Sequence, residues 1–526
     1  MAFVSSTGLI LLLGVLAAYL VNKFVNSKTH EHPLPPGPKG LPLLGNVNDL
    51  PKPGGGLEAH HWLKHKDEYG PISSVTVLGQ TIVIINDAQI ALELLRDRAQ
   101  HSARPHMVFA SDMIGWKNTL AFSGYTDNFK IHRKNIASVA GSNTSLKLFD
   151  RAQEEESVHF LLNVLDSPEN LFDHIKKEAG AVILKITYGY TAEPKGKDHL
   201  VDMAGKAMHE FSDATIAGKW PVDIMPFLKY LPEWFPGAGF KQTARDMARQ
   251  LQQTTEQPYE FVKQQMREKK HKTSFLSQAL ENIGSDAEME SIHKWSASSM
   301  YLGGADTTVS SLMTFFLAMT VFPEVQKRAQ EELDRVIGGS RLPNSTDKGR
   351  LPYIEAVVKE THRWHPVAPL ALPHAATQED IIHGYRIPKG ALILPNNWWF
   401  THDPAVYASP MEFRPERFLG PTPEPDPRTW TFGYGRRVCP GRYVADNALF
   451  ITIAQALSVF KIEKLVENGK VVEPELKFEP GVVSHPIPYR TSITPRSEKC
   501  AQLVRDAETE YPWEESDAQK LKDIKV

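Results

Sequence analysis

Cysteine is nearly absent: Cys439 and Cys500 are the only two in 526 residues. Two thiols cannot build a disulfide scaffold or a cysteine-rich zinc module, so a cysteine inside a motif carries unusual weight. Charge of one sign is also missing. Lys+Arg is 59 against 62 Asp+Glu, a net charge of −3, which removes the electrostatic footprint of a nucleic-acid binder. No internal repeat is visible, and 41% hydrophobic with 23% charged residues excludes a disordered, collagen-like or polytopic chain.

One long apolar run is present. Met1 to Val21 carries no charge, and Gly8 to Val21 (GLILLLGVLAAYLV) is long enough to cross a hydrocarbon core as a helix. Lys23 and Lys28 follow the run rather than precede it, which argues against a cleaved signal peptide and places the remainder on the cytoplasmic side. The mean hydropathy of −0.32 agrees with one anchor on a polar body. His32 to Gly45 then holds five prolines and reads as a stiff, extended linker.

In the body, Ile72–Val77 and Thr81–Ile85 read as a hairpin, and Ala88–Arg96 as a helix. Residues 150 to 340 are mostly helical in pattern. Ser291 to Val321 is apolar all round, hence a buried helix stopped at Phe322-Pro323. Amphipathic helices follow over Glu324–Ile337 and Pro352–Trp364, then a strand near Ala391–Leu394 and a helix near Arg442–Phe460. Ala501 to Val526, with seven acids against four bases, reads as a frayed tail. The expected organisation is an anchor over 1–22, a Pro-rich linker over 23–50, one large mainly α domain with small β-sheets over 51–500, and a charged tail over 501–526.

The segment Phe432 to Gly441, FGYGRRVCPG, concentrates the chemistry. Gly433 and Gly435 let a backbone turn tightly beside a flat object, and Arg437 offers a fork of donors to a carboxylate. Cys439 lies just before a helix start, where backbone N–H groups and the positive helix end favour a thiolate able to bind a soft metal. The plainer reading is a structural cysteine in a Gly-rich loop. A dinucleotide fingerprint fails for want of the third glycine and the strand–helix frame.

At Phe432, Gly433, Gly435, Arg437, Cys439 and Gly441 the segment resembles the haem-binding loop of the cytochrome P450 family, F-G-x-G-x-R-x-C-x-G. Three further stretches resemble family motifs in the same order. Glu360-Thr361-His362-Arg363 is similar to the E-x-x-R pair, which with Arg417 of Pro415–Phe418 implies a buried structural network rather than a surface ion pair. Gly303–Thr308, GGADTT, resembles the oxygen-activation motif, with Asp306 as the acid and Thr307 as the alcohol that deliver protons. Two glycines inside a helix cost roughly 1 kcal/mol each against alanine, and a Thr307 hydroxyl bonded to the Gly303 carbonyl would open a groove there. The fourth match is imperfect: Phe129-Lys130-Ile131-His132-Arg133 keeps the propionate-binding Arg133 of W-R-x-x-R but replaces the tryptophan, removing an indole N–H donor. His374 is the counterpart of a further propionate residue, and His101–Pro105 (HSARP) resembles the entry to the loop over the haem.

The resemblance implies a haem b monooxygenase that uses O₂ and electrons from NADPH through a separate NADPH-cytochrome P450 reductase, at the endoplasmic reticulum membrane. Lys130, Arg133, Lys134, Arg436 and Arg442 are candidates for docking that reductase. Substrate contacts are expected at Met107, Phe122, Tyr301, Leu302, Ala305, Val367, Leu372 and Val483, and from Val482 to His485; these are mostly apolar and imply a lipophilic molecule. Ser484–Ser497 resembles filamentous-fungal biosynthetic members such as the O-methylsterigmatocystin oxidoreductase group, which points to secondary metabolism. Sequons at Asn143 and Asn344 are expected to stay bare on the cytoplasmic side. Competing readings are a reductase-independent haem-thiolate isomerase or dehydratase acting on peroxides, and a non-catalytic haem protein. Asp306-Thr307 counts against the former and the glycine groove against the latter. Hydroxylation, epoxidation and oxidative coupling are not distinguished.

Overall fold

The computed structural model describes residues 31–524 apart from 53, 142–146, 148, 217 and 285. The expected anchor over 1–22 and the Asn143 sequon lie outside the described residues. Among the described residues no single helix is long and apolar enough to cross a membrane.

The longer helices, in chain order, are α1 (Glu58–Tyr69), α2 (Asp127–Ala140), α3 (Asp150–Asp166), α4 (Leu171–Tyr188), α5 (His199–Ala214), α6 (Phe240–Arg267), α7 (Ala287–Val321), α8 (Pro323–Val336), α9 (Pro352–Trp364), α10 (Arg442–Val459) and α11 (Glu498–Ala507). The strands are β1 (Ile72–Val77), β2 (Gln80–Ile85), β3 (His374–Ala375), β4 (Asp380–Ile382), β5 (Tyr385–Ile387), β6 (Leu392–Pro395), β7 (Phe460–Lys464), β8 (Val466–Glu467), β9 (Lys470–Val471) and β10 (Thr491–Pro495). The largest sheet runs β1-β2-β6-β3, antiparallel except for the parallel β2/β6 pair. Its register sets Val75 against Ile82 and Ile84 against Leu394. The chain is mainly α with small sheets, as its periodicities predict.

The central rod is α7, 35 residues long, packed on α2, α4, α5 and α10. Asp286 caps it by accepting from the Glu288 and Met289 amides, and the Phe322-Pro323 step turns the chain 104° into α8. The two glycines in its middle serve different purposes. A Cβ on Gly304 would lie 2.8 Å from Ile183 of α4, so this glycine permits close helix packing, whereas a Cβ on Gly303 would meet nothing within 4 Å.

Two expectations are corrected at the ends of the body. The Pro-rich stretch is extended, but it is no free spacer. Ser74 donates from its amide to Pro36 O (2.8 Å) and from its hydroxyl to Pro35 O (2.6 Å), while Asn46 N donates to Thr76 O (2.7 Å). Residues 35–46 therefore lie along the edge of β1 and belong to the domain. The segment after 500 is not frayed. Its amphipathic helix α11 is capped by Ser497, Trp513 stacks on His159 at 3.8 Å, and Asp517 accepts the Thr191 amide at 2.9 Å. Overall acidity hid these specific contacts.

Candidate functional site

A large, mostly apolar cavity lies between α7, α4, α2, the loop leading into α10 and the segment around 367–374, with about 2210 Å³ of empty space including its mouth. Cys439 opens onto it from one face; Gly303, Gly304, Thr307 and Thr308 of α7 also line it.

The cysteine loop is shaped by its glycines. Gly433 (φ 79°) and Gly435 (φ 48°) both lie in the left-handed region. A Cβ on Gly435 would come within 2.8 Å of the Leu95 and Arg96 carbonyls, so that glycine seats the loop on the preceding helical turn rather than on the cavity. The Cys439 amide donates to Phe432 O (2.7 Å), closing the loop. The expected lowering of the thiol is not what the chain alone produces. Burial pushes the Cys439 thiol up, against the Gly441 amide, Arg133 and Arg442, which pull it down.

Three guanidiniums face the same end of the cavity. Arg437 donates to the carbonyls of Ser102 (2.6 Å), Ser123 (2.9 Å) and Leu120 (3.4 Å). Arg104 donates to Ala121 O (3.0 Å), Leu372 O (2.9 Å) and Pro373 O (2.9 Å), and Arg133 donates to Val438 O. Burial, reinforced by their mutual repulsion, lowers Arg437 to about 10 and Arg104 to about 9. No carboxylate among the described residues is paired with any of the three. Cations without anions, one buried and two half-buried, around a wide apolar slot that also holds a thiol, fit a flat metal macrocycle bearing two carboxylates.

The position occupied by Phe129 keeps a role without the indole donor. Its ring, 2% exposed, lies 3.9 Å under the Arg437 guanidinium, so it replaces a hydrogen bond with a cation–π contact. His374 lines the cavity, but its Nδ1 lies 2.8 Å from His101 O. A carbonyl only accepts, so Nδ1 holds the proton; burial, with Arg104 nearby, keeps the ring neutral and leaves Nε2 a lone pair. Arg104 is the stronger anion donor there. The sequence singled out its segment but not the residue.

On α7, Thr307 Oγ1 donates to Gly303 O at 2.7 Å, as the motif predicts, and Thr307 faces the cavity. Asp306, one residue earlier, turns away from it and pairs with His485 Nε2 at 3.1 Å. The Glu360 carboxylate accepts from Arg363 Nε (2.7 Å), Arg363 Nη2 (2.8 Å), Arg417 Nε (3.1 Å) and the Arg414 amide (2.7 Å), with all three charged side chains fully buried. None of the three lines the cavity, and α9 meets the cysteine loop through His362, edge-on to Phe432 at 5.0 Å.

Of the expected substrate contacts, Leu302, Val367, Leu372 and Val483 line the cavity. Tyr301, Ala305, Met107 and Phe122 do not. Helical rotation turns Tyr301 to α5, where its hydroxyl donates to Leu200 O, and sets Ala305 on the same averted side. Phe122 packs edge-on against Phe211 at 5.6 Å, and Phe211 itself reaches the cavity. Met107 joins the surrounding core. Phe211, Met208, Ile183 and Ile186 complete the wall from α4 and α5, and only amphipathic periodicity marked them in the sequence.

Comparison with known proteins agrees with this geometry. The sequence model of the family Cytochrome P450 matches residues 35–493. The chain is 45% identical over 501 residues to cytochrome P450 monooxygenase ppsD of Aspergillus oryzae, covering 94% of each protein. It is 45% identical over 514 residues to cytochrome P450 monooxygenase claR of Ampulloclitocybe clavipes, covering 97% of this chain and 94% of the relative. It is 41% identical over 510 residues to the O-methylsterigmatocystin oxidoreductase of Aspergillus flavus, covering 96% of each. With the thiol, the anion-seeking arginines and the glycine-lined helix gathered at one cavity, this chain belongs to the cytochrome P450 family and is a haem-thiolate monooxygenase that uses haem b.

Proposed function

We propose that the enzyme oxidises a lipophilic small molecule of secondary metabolism at the endoplasmic reticulum membrane, with NADPH-cytochrome P450 reductase as its electron source. The observation that carries the substrate class is the cavity wall. Leu120, Ile183, Ile186, Phe211, Val367 and Val483 offer apolar contact, with few polar atoms to fix an orientation. The relative that by name acts on O-methylsterigmatocystin supports the same class.

In this reading Cys439 would hold the iron, and Arg437, Arg104 and Arg133 would neutralise the propionates. Phe432, Gly433 and Gly441, which line the cavity with Cys439, would complete the seat of the haem. Bound there, haem b supplies the chemistry that activates dioxygen. The chain's own residues do the rest: Thr307 presents a hydroxyl to the cavity, Asp306 beside it in the chain is the acid through which protons pass, and the apolar wall excludes water. The exposed Lys130, Lys134 and Arg436, with Arg442, supply a basic face beside the cysteine loop for an acidic reductase.

The membrane reading draws on a second patch. Phe227, Tyr230 (77% exposed), Trp234 (81% exposed) and Phe235 stand in solvent between α5 and α6. The segment leading to them meets the N-terminal stretch, since a Cβ on Gly218 would lie 3.4 Å from Leu50, and that stretch also exposes Leu41, Leu43 and Leu44. Apolar and aromatic side chains shared by two neighbouring segments suit the interfacial zone of a bilayer. Positive charge after the first apolar run favours a single-pass topology with the domain on the cytoplasmic side.

The test is full-length protein in phospholipid vesicles with the reductase. Oxygen uptake should require NADPH and reductase, rise with a lipophilic substrate and vanish in Cys439→Ser together with the red-shifted Soret band of the reduced carbon-monoxide complex. Turnover of a peroxide without either partner, and none with them, would reverse the reading.

A further inference from the structure

The loop 479–490 crosses the outer side of α7 and is fixed there. Ser310 donates to Ser484 O (2.6 Å), the Ser484 amide donates to Val367 O (2.8 Å), and the Glu479 amide donates to His485 O (2.7 Å). Two of its residues, Val482 and Val483, line the cavity. The next histidine in the same loop, His485, sets Nε2 3.1 Å from Asp306 Oδ1, with side chains 19% and 16% exposed respectively. His485 and Asp306 are thus in contact near solvent, and the cavity-facing Thr307 follows Asp306 directly in the chain.

We propose that His485 is a positioning residue that holds the Asp306 side chain and restores its proton from solvent, making the loop that contacts substrate also the proton entry of the site. The inference rests on the reading of Asp306 as the proton-delivering acid. In each step the His485 imidazolium breaks its Nε2–H bond and an O–H bond forms on the Asp306 carboxylate, leaving neutral imidazole and carboxylic acid. After the acid gives that proton toward Thr307, the imidazole takes another from solvent. Monooxygenation consumes two protons per turnover, so the demand on this pair is steady. The titratable groups facing His485 are Asp306 from α7, Glu479 from its own loop and His365 beyond α9. Burial acts to lower the ring's pKa, but the hydrogen bond and charge of Asp306, with Glu479, leave it raised above its ordinary value. His365 is held neutral by its own burial and adds no opposing charge.

The first measurement needs no turnover. The His485 ring, assigned by its loss in His485→Gln, is titrated by NMR in the full-length holoenzyme. Its midpoint should lie above that of an ordinary histidine and fall in Asp306→Asn; an unchanged midpoint would overturn the pairing. The second is NADPH oxidation with reductase, read as rate, solvent isotope effect and the share of oxygen released as hydrogen peroxide. His485→Gln should slow water-forming turnover at least about tenfold and raise the peroxide share. His485→Arg, which keeps a cation beside Asp306 but exchanges no proton at neutral pH, should be as slow. Full activity in His485→Arg would refute proton entry through the ring. Normal behaviour of His485→Gln beside a crippled Asp306→Asn would sink this proposal and spare the reading of Asp306; normal behaviour of both would remove that reading as well. An unchanged carbon-monoxide difference band in each variant shows that the fold and haem are intact.

Discussion

Replacing Glu178 by glutamine should flatten the pH dependence of stability on the alkaline side. Glu178 sits on α4, 5% exposed, beside the large cavity. Its Oε1 accepts from Thr452 Oγ1 of α10, while Oε2 has no partner. Burial pushes the carboxyl up from 4.5 to about 8, with Glu156 adding to the rise and Thr452 opposing it. The sign follows from which state binds more protons. Below pH 4.5 the carboxyl is protonated in both states and contributes nothing; from there to about pH 8 the unfolded chain ionises and the folded one does not. Stability therefore falls by about 1.4 kcal/mol per pH unit through that window, a loss of about 3 kcal/mol by pH 7. Glutamine removes this slope. Its buried amide can cost about 1 to 3 kcal/mol for an unmet donor, but that offset is independent of pH. The readout is consequently the difference in urea unfolding free energy between Glu178→Gln and wild type at pH 5.5, 6.5 and 7.5. It should shift in favour of the variant by about 2 to 3 kcal/mol across the series. Parallel curves would mean that Glu178 is ionised in the folded protein and that the reasoning from burial is wrong.

Phe129→Leu keeps most of the apolar volume under Arg437 but removes the ring face; a loss of about 1 to 2 kcal/mol of holoprotein stability and faster haem release are expected, both absent if the 3.9 Å contact is incidental. Truncation after Glu510 removes the Trp513 stack on His159 and the Asp517 acceptor of the Thr191 amide, and should cost about 2 to 4 kcal/mol in chemical unfolding. An unchanged midpoint would return that segment to the frayed state its composition suggests. Trp234 in full-length protein should be quenched by brominated lipid in vesicles; quenching no stronger than in lipid-free buffer would contradict the interfacial patch.

Regular elements were legible wherever local pattern and packing agree. The hairpin at 72–85, the helix ending at Phe322-Pro323 and the helix Pro352–Trp364 all stand within a few residues of their expected ends. So was the chemistry carried by near neighbours: the Thr307 to Gly303 bond follows from the spacing of hydroxyl and carbonyl on one helix, whereas the buried Glu360, Arg363 and Arg417 network was implied by the family resemblance, since spacing alone allowed a surface pair. What spacing could not supply was direction. Each step along α7 turns about 100°, so Leu302 reaches the cavity while Tyr301 and Ala305 do not. Contacts between remote segments were equally hidden. Nothing near Arg104 in the chain announces that its donors end on the Leu372 and Pro373 carbonyls. Likewise, nothing near His485 announces a carboxylate from α7. A tail rich in acids gives no sign that one of them, Asp517, accepts a specific amide on the α4 side.

The paired glycines of α7 give anyone reshaping the selectivity of this enzyme one usable dial and one fixed stop. A methyl group at Gly304 would press into Ile183 at 2.8 Å and force two helices apart, spreading its effect through the scaffold. The same methyl group at Gly303 meets no neighbouring helix within 4 Å and points to the cavity, with a gain in helix propensity. Small side chains at that single site would therefore trim the chamber directly beside the reacting face, changing which carbon of a bound molecule comes forward while leaving the architecture alone.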